Sequence, residues 1–151
     1  MMLLRTPTPD EAAALTELCL RSKAVWGYDD DFMQACRREL ALAPADLRSP
    51  YVQVAEADCR VVGVVEVTPR GDEADLARLF VEPTDLRTGV GRLLFKWAKG
   101  AACDAGARTL VIGADPNAVG FYRRMGAVEN GTMPSGSVPG RLLPRLIYQL
   151  C

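Results

Sequence analysis

The sequence predicts an α/β chain with a central mixed, mostly antiparallel sheet flanked by helices, and three observations carry that prediction. Runs rich in β-branched residues at 51–56 and 61–68, separated by Ala57-Asp58-Cys59-Arg60, have the composition of a hairpin. A strand at 74–81, a helix at 91–105 and a strand at 109–114 follow. Such a unit needs a crossover connection, which makes the sheet mixed. The tail, 127–151, reads as two further strands joined by a loop rich in Gly, Ser and Pro.

The remaining elements follow from local signals. Thr8-Pro9-Asp10-Glu11 is a helix start in which Thr8 caps, Pro9 suits the first turn and Glu11 completes a capping box. Leu15, Leu18, Cys19, Ser22 and Trp26 then share one helical face, and Gly27 is the stop. Asp29-Asp30-Asp31 precedes Phe32, Met33, Cys36 and Leu40, again at helical spacing, with the acids where the helix dipole favours them. In the 91–105 helix the apolar stripe is Leu94, Trp97, Ala98, Ala101 and Ala102, and a short helix at 117–125 closes at Gly126. No internal repeat or low-complexity block interrupts the order, so 1–151 reads as one domain.

Composition bounds the function. With 49% hydrophobic and 25% charged residues the chain is that of a folded protein, and a net charge of -1 argues against a nucleic-acid partner while leaving room for a local basic patch. The N-terminus lacks the apolar run of a secretory signal and no segment reaches membrane-spanning length, so no membrane partner and a cytoplasmic location are expected. Cys19, Cys36, Cys59, Cys103 and Cys151 are odd in number and form no CxxC pair, which predicts reduced thiols and no thiolate metal site. The absence of histidine removes Ser-His-Asp and Cys-His catalysis along with the commonest metal ligand, so no metal is expected. Acid–base work falls to carboxylates, tyrosines, lysines, cysteines or water.

The informative stretch is Leu79-Phe80-Val81-Glu82-Pro83 followed by Arg87-Thr88-Gly89-Val90-Gly91-Arg92. A strand runs through a glycine turn directly into a helix, so backbone N–H groups and the positive helix end converge on one point, a geometry that binds phosphate. Glycine at 89 and 91 permits positive φ and close approach of an anion, and Arg87 and Arg92 can add charge-assisted bonds. A dinucleotide fingerprint would require glycine at Leu94, and a Walker loop Gly-Lys-Ser/Thr, and neither is present.

That stretch, the helix and strand after it, and Asn117-Ala118-Val119-Gly120-Phe121-Tyr122-Arg123-Arg124-Met125-Gly126-Ala127 together resemble the core of the GNAT acyl-CoA N-acyltransferases. The resemblance covers the middle half of the chain, and the ends match only in the order of their elements. It implies a GNAT-like fold with acetyl-CoA as cofactor. It also implies that residues 87–92 hold the pyrophosphate through backbone amides, that the strand at Leu79, Phe80 and Val81 pairs with the pantetheine arm, and that Asn117, Phe121, Tyr122 and Arg124 complete the cofactor site. Leu86 stands where the family has Gln or Arg, three positions before the first glycine, with Arg87 one place later.

By the same resemblance Tyr122 is the acid for the departing thiolate, and a backbone N–H near Phe80 or Val81 meets the oxyanion. For the base Glu66, on the strand beside the acyl site, leads, Asp75 and Glu82 follow, and a water chain is the alternative. Trp26, Tyr28 and Phe32 form the acceptor wall, where aromatic faces can hold a cation attracted by Asp29 to Asp31, with Ser135 and Arg141 facing the same site. The expected partner is a small-molecule amine, and a homodimer is compatible with the chain. A protein or peptide acetyltransferase and a non-catalytic CoA sensor are the other readings.

Overall fold

The computed structural model describes residues 2–150. The elements run β1 (Met2–Arg5), α1 (Ala12–Ala24), α2 (Asp30–Leu40), β2 (Val52–Ala57), β3 (Arg60–Arg70), β4 (Glu73–Val81), α3 (Val90–Asp104), β5 (Thr109–Gly113), α4 (Val119–Arg124), β6 (Val128–Pro134) and β7 (Leu142–Gln149). All strands join one seven-stranded sheet in the order β1-β2-β3-β4-β5-β7-β6. The β4–β5 pair is parallel and its neighbours are antiparallel, which is the mixed sheet expected from the β4-α3-β5 crossover.

Alternation along the central strands separates two cores. Val52, Val54 and Val64 turn to the face covered by α1 and α2, where they meet Leu15, Leu18, Cys19 and Cys36. Val65 and Val67 turn to the opposite face, joined there by Val62 at a bulge between β2 and β3, and Leu94, Phe95 and Ala98 of α3 pack on that face with Tyr122 of α4. The sheet therefore carries helices on both faces.

Several expectations need correction. β1 was not anticipated: four residues are too few for a periodic signal, and the strand exists because Met2 to Arg5 pair with Ala57 to Val54 of β2. The first helix begins after a 3-10 turn over Pro9–Glu11, with the Thr8 amide donating to Glu11 Oε1 at 2.9 Å. It ends at Ala24, so Trp26 lies beyond it and is 45% exposed. The helix expected at 117–125 divides into a 3-10 turn at Pro116–Ala118, capped by Asp115, and α4. Cys19, Cys36 and Cys59 are free thiols, whereas Cys103 is disulfide-bonded, which corrects the expectation of reduced thiols throughout. Cys151 lies outside the described residues. Among the described residues no helix is long and apolar enough to cross a membrane.

Candidate active site

A cleft opens in the middle of the sheet. β4 and β5 pair only over Glu73 to Asp75 against Thr109 to Val111. Beyond that point β4 stays with β3 as far as Val81, and β5 follows β7 as far as Gly113, so the two strands diverge. The ladder between β3 and β4 also contains a bulge: Glu66 pairs with Arg78 and Val67 with Leu76, leaving Ala77 as the extra residue. Glu82 N donates to Val62 O at 2.8 Å. The alternation of an antiparallel ladder then turns the main-chain groups of Leu79 and Val81 away from β3 and into the cleft, while those of Phe80 face β3. Main chain without a strand partner in the centre of a sheet is an open edge, and it can pair with an extended ligand.

The loop after β4 presents a second set of open donors. Gly89 caps α3 with φ 93° and ψ 0°, and Arg87 also has a positive φ of 64°. The first amide of α3 to find a main-chain acceptor is Leu93, bonded to Gly89 O at 3.1 Å. Among the described residues, the backbone N–H groups of 87–92 donate to no main-chain oxygen. Helix starts leave such donors free, and here they share a point with the positive end of a four-turn helix. A Cβ at Gly91 would stand 3.1 Å from the Phe121 ring, so glycine at that position seats α4 against the start of α3. Thr88 Oγ1 donates to Asp85 O and closes the turn. Arg87, Arg92 and Arg124 are exposed on the surface.

Tyr122 hangs from α4 into the aromatic cluster, its ring centroid 5.9 Å from Phe95 and 5.1 Å from Phe121. The residue is only 7% exposed, and burial raises its phenol well above the ordinary tyrosine value. Yet the hydroxyl is not a sealed, unsatisfied group among the described residues. A phenol that stays protonated can give up a hydrogen bond or a proton to a group that reaches its hydroxyl.

The segment after β5 organises a side-chain cluster. Asp115 Oδ2 accepts from the Tyr28 hydroxyl at 2.7 Å and from Lys23 Nζ at 3.1 Å, and Asp115 Oδ1 accepts from the Asn117 amide at 2.9 Å. Burial alone would raise the Asp115 carboxyl, but the Asn117 amide, the Tyr28 hydroxyl and Lys23 outweigh it and hold it below the ordinary value. Tyr28 stacks on Phe32 at 4.0 Å and 17°. Arg141 donates to the Tyr28 hydroxyl at 3.0 Å, with its guanidinium carbon 4.8 Å from the Phe32 ring centroid.

The profile of the acetyltransferase (GNAT) domain family matches residues 19–133. The chain belongs to the GNAT acetyltransferase family. No curated protein is similar enough in sequence to count as a relative. The fold is also that of solved GNAT structures. The PaiA N-acetyltransferase of Thermoplasma acidophilum, in complex with coenzyme A, is 19% identical at a TM-score of 0.79, over 99% of both chains. A GCN5-related N-acetyltransferase of Rhodopseudomonas palustris is 22% identical at 0.78, over 98% of this chain and 95% of the other. YncA of Salmonella typhimurium, with its cofactor acetyl-CoA, is 21% identical at 0.68, over 100% of this chain and 95% of the other.

In this GNAT chain the anticipated site residues fall into groups. Leu79, Val81, residues 87–92, Phe121 and Tyr122 surround the cleft and the start of α3. Asn117 instead turns to the Asp115 cluster, its side-chain amide 2.9 Å from Asp115 Oδ1. Tyr28, Phe32 and Arg141 come together, but Trp26 remains exposed and makes no ring contact among the described residues. Ser135 Oγ accepts from the amides of Ser137 and Val138 at 3.1 and 3.2 Å, so it shapes the β6–β7 loop.

The three carboxylates offered as bases are all paired with arginine. Asp75 gives both oxygens to Arg70, and Glu82 gives both to Arg21, which holds its carboxyl below the ordinary value. Glu66 accepts from Arg78 Nε at 2.9 Å through Oε1 alone. Arg78 is itself anchored, donating to Leu40 O at 2.8 Å.

Sequence reasoning missed Asp115 and Lys23. The available signal was Asp115-Pro116-Asn117 directly after a strand, a capped turn at the end of β5.

Proposed function

We propose that this protein transfers an acetyl group from acetyl-CoA to the amine of a small molecule, with both bound together at the β4–β5 cleft. The observation that carries the reading is the coincidence of two open main-chain surfaces, the divergent edge of β4 and the unpaired amides of 87–92, in a chain of the GNAT family. A pantetheine arm is an amide-bearing extended chain and a pyrophosphate is an anion, so each surface suits one part of acetyl-CoA. In this reading Leu79 and Val81 hold the arm, residues 87–92 hold the pyrophosphate, and Arg87, Arg92 and Arg124 supply positive charge around it. Bound there, acetyl-CoA supplies an activated acetyl thioester.

The side chains then divide the proton work. Tyr122 holds a proton at its hydroxyl oxygen for the departing thiolate, and its raised pKa keeps that proton in place at working pH. An alkyl ammonium has a pKa of about 10.4 and must lose a proton before it attacks. Glu66 is the base in this reading, directly or through water, since it alone of the three carboxylates leaves one oxygen outside its arginine pair. The main-chain N–H of Val81, turned into the cleft, stabilises the oxyanion.

The test is calorimetric titration with acetyl-CoA together with thiol release in the presence of amines. Binding and amine-dependent thiol release are expected. Absence of acetyl-CoA binding would end the reading, and binding without release across amines and peptides would favour a sensor.

A further inference from the structure

The acceptor end was expected to offer bare aromatic faces to a cationic substrate, and those faces are already covered by the protein's own cations. Arg141 lies over both rings, 4.8 Å from the Phe32 centroid and 5.3 Å from that of Tyr28. Lys23 Nζ lies 5.8 and 5.6 Å from the same two rings. A substrate cation would have to displace one of these or stand beside it at like charge.

What the cluster presents to a ligand is therefore positive charge. Lys23 is committed to Asp115 at 3.1 Å. Arg141 has no carboxylate within ion-pair distance among the described residues, and its one side-chain hydrogen bond runs from Nη2 to the Tyr28 hydroxyl. Five N–H donors sit on a guanidinium, so most of its fork is open. Lys23 and Asp115 offset each other and Glu39 accepts from Ser137 of the same loop, so the Arg141 fork is the group left open to an anion.

The fork is also held in place. Ser135 N donates to Arg141 O at 2.8 Å and Arg141 N to Val138 O at 3.2 Å, which closes the β6–β7 loop on itself. Ser137 Oγ ties that loop to Glu39 of α2 at 2.6 Å. Tyr28 in turn joins Arg141 to Asp115, two residues past the end of β5. A planar fork fixed in this way matches a carboxylate and loses little entropy on binding one.

Building on the acetyltransferase reading above, we propose that the acceptor is an amine bearing a carboxylate, a free amino acid or a close analogue, and that Arg141, seated on Phe32 and Tyr28, binds the carboxylate. In the transfer the amine nitrogen bonds to the acetyl carbon as the carbon–sulfur bond breaks, and the proton lost from nitrogen balances the one gained by sulfur.

The test compares the common amino acids with their carboxamides, by thiol release and by titration into the CoA-loaded protein. At least one amino acid should bind, and should exceed its amide in kcat/KM by about tenfold or more. Arg141→Met, which keeps an apolar stem on the rings, should lower kcat/KM for the acid by roughly 10- to 100-fold through KM, and lower that for the amide by at least tenfold less. Arg141→Lys, with charge but no fork, should fall between. Equal use of acid and amide by the wild type overturns the inference even if the variants fail to fold, and so does an equal loss on both substrates in Arg141→Met. If acetyl-CoA binds and turns over while the acid-to-amide ratio stays flat, this inference alone fails. Failure of acetyl-CoA to bind removes the acetyltransferase reading and the inference with it.

Discussion

The segment that follows β4 and the segment that follows β5 leave the same end of two parallel strands, yet they are built from different materials. After β4 the working groups are main-chain amides, released by Gly89 at φ 93° and by a helix start that no side chain caps. After β5 they are side chains from three distant parts of the chain, gathered on Asp115 and Tyr28. A main-chain site serves one unvarying ligand part and needs only the right backbone, whereas a side-chain site can be rewritten residue by residue for a new substrate. α1 touches both: Arg21 pairs with Glu82 just past β4 at 2.8 Å, and Lys23 pairs with Asp115 just past β5 at 3.1 Å.

The largest effect expected on this contrast comes from Gly89→Asp. Any L residue is strained at φ 93°, and an acid there sets like charge against a pyrophosphate, a juxtaposition that costs several kcal/mol. Acetyl-CoA affinity measured by calorimetry should fall by roughly 100-fold or more. Unchanged affinity would show that the main chain before α3 is not the anion site.

Tyr122→Phe ranks next. Loss of a positioned general acid lowers turnover by about 100-fold or more, and because the ring and its packing against Phe95 and Phe121 are kept, acetyl-CoA affinity should hold. Full activity in the thiol-release assay would remove the role.

Asp115→Ala separates the two segments directly. It leaves Lys23, whose side chain is 15% exposed, and the Tyr28 hydroxyl without their shared acceptor, and it strips the cap from the Asn117 amide. A loss of about 1–3 kcal/mol is expected, less than for a fully sealed pair because both groups keep some water. In a chain of this size that lowers the melting midpoint by roughly 2–4 °C per kcal/mol. The acceptor KM should rise while acetyl-CoA affinity stays put, and a parallel loss of both would mean that the segments are one unit.

The same difference in materials explains what could be read in advance. Gly89 and Gly91 sit two apart at a strand–helix junction, and a main-chain site declares itself through such local spacing. The helices, the hairpin and the crossover were legible for the same reason, since period and capping are local. The acceptor cluster was visible only as separate aromatics and an arginine: Tyr28 meets Asp115 across 87 positions, and Arg141 meets Tyr28 across 113. Trp26 was misplaced because the helical stripe does not reveal that α1 has ended two residues earlier. β1 was invisible because its reason for existing lies in β2, fifty residues away.

The smallest effect concerns acid, and it asks whether the two ties from α1 loosen together. Glu82 is held below its ordinary value by the Arg21 fork, and Asp115 by Asn117, Tyr28 and Lys23 against the pull of burial. A depressed carboxyl contributes stability that is complete above its unfolded value, near pH 4.5 for Glu82 and 3.8 for Asp115, and is lost as pH falls through the folded value. Glu11, doubly bonded to Arg5 and lowered to about 2, supplies the same signature beside the Arg21–Glu82 pair, with which it lines one pocket. Wild-type stability from urea melts should therefore decline as pH drops from about 5 toward 2, by about 1 kcal/mol or less for each partly exposed pair. Glu82→Gln and Asp115→Asn should each flatten part of that slope, and Glu11→Gln another part. If Glu82→Gln and Asp115→Asn together remove clearly more or less slope than their separate effects sum to, the two ties are coupled through α1. The cofactor and acceptor halves of the cleft would then open as one.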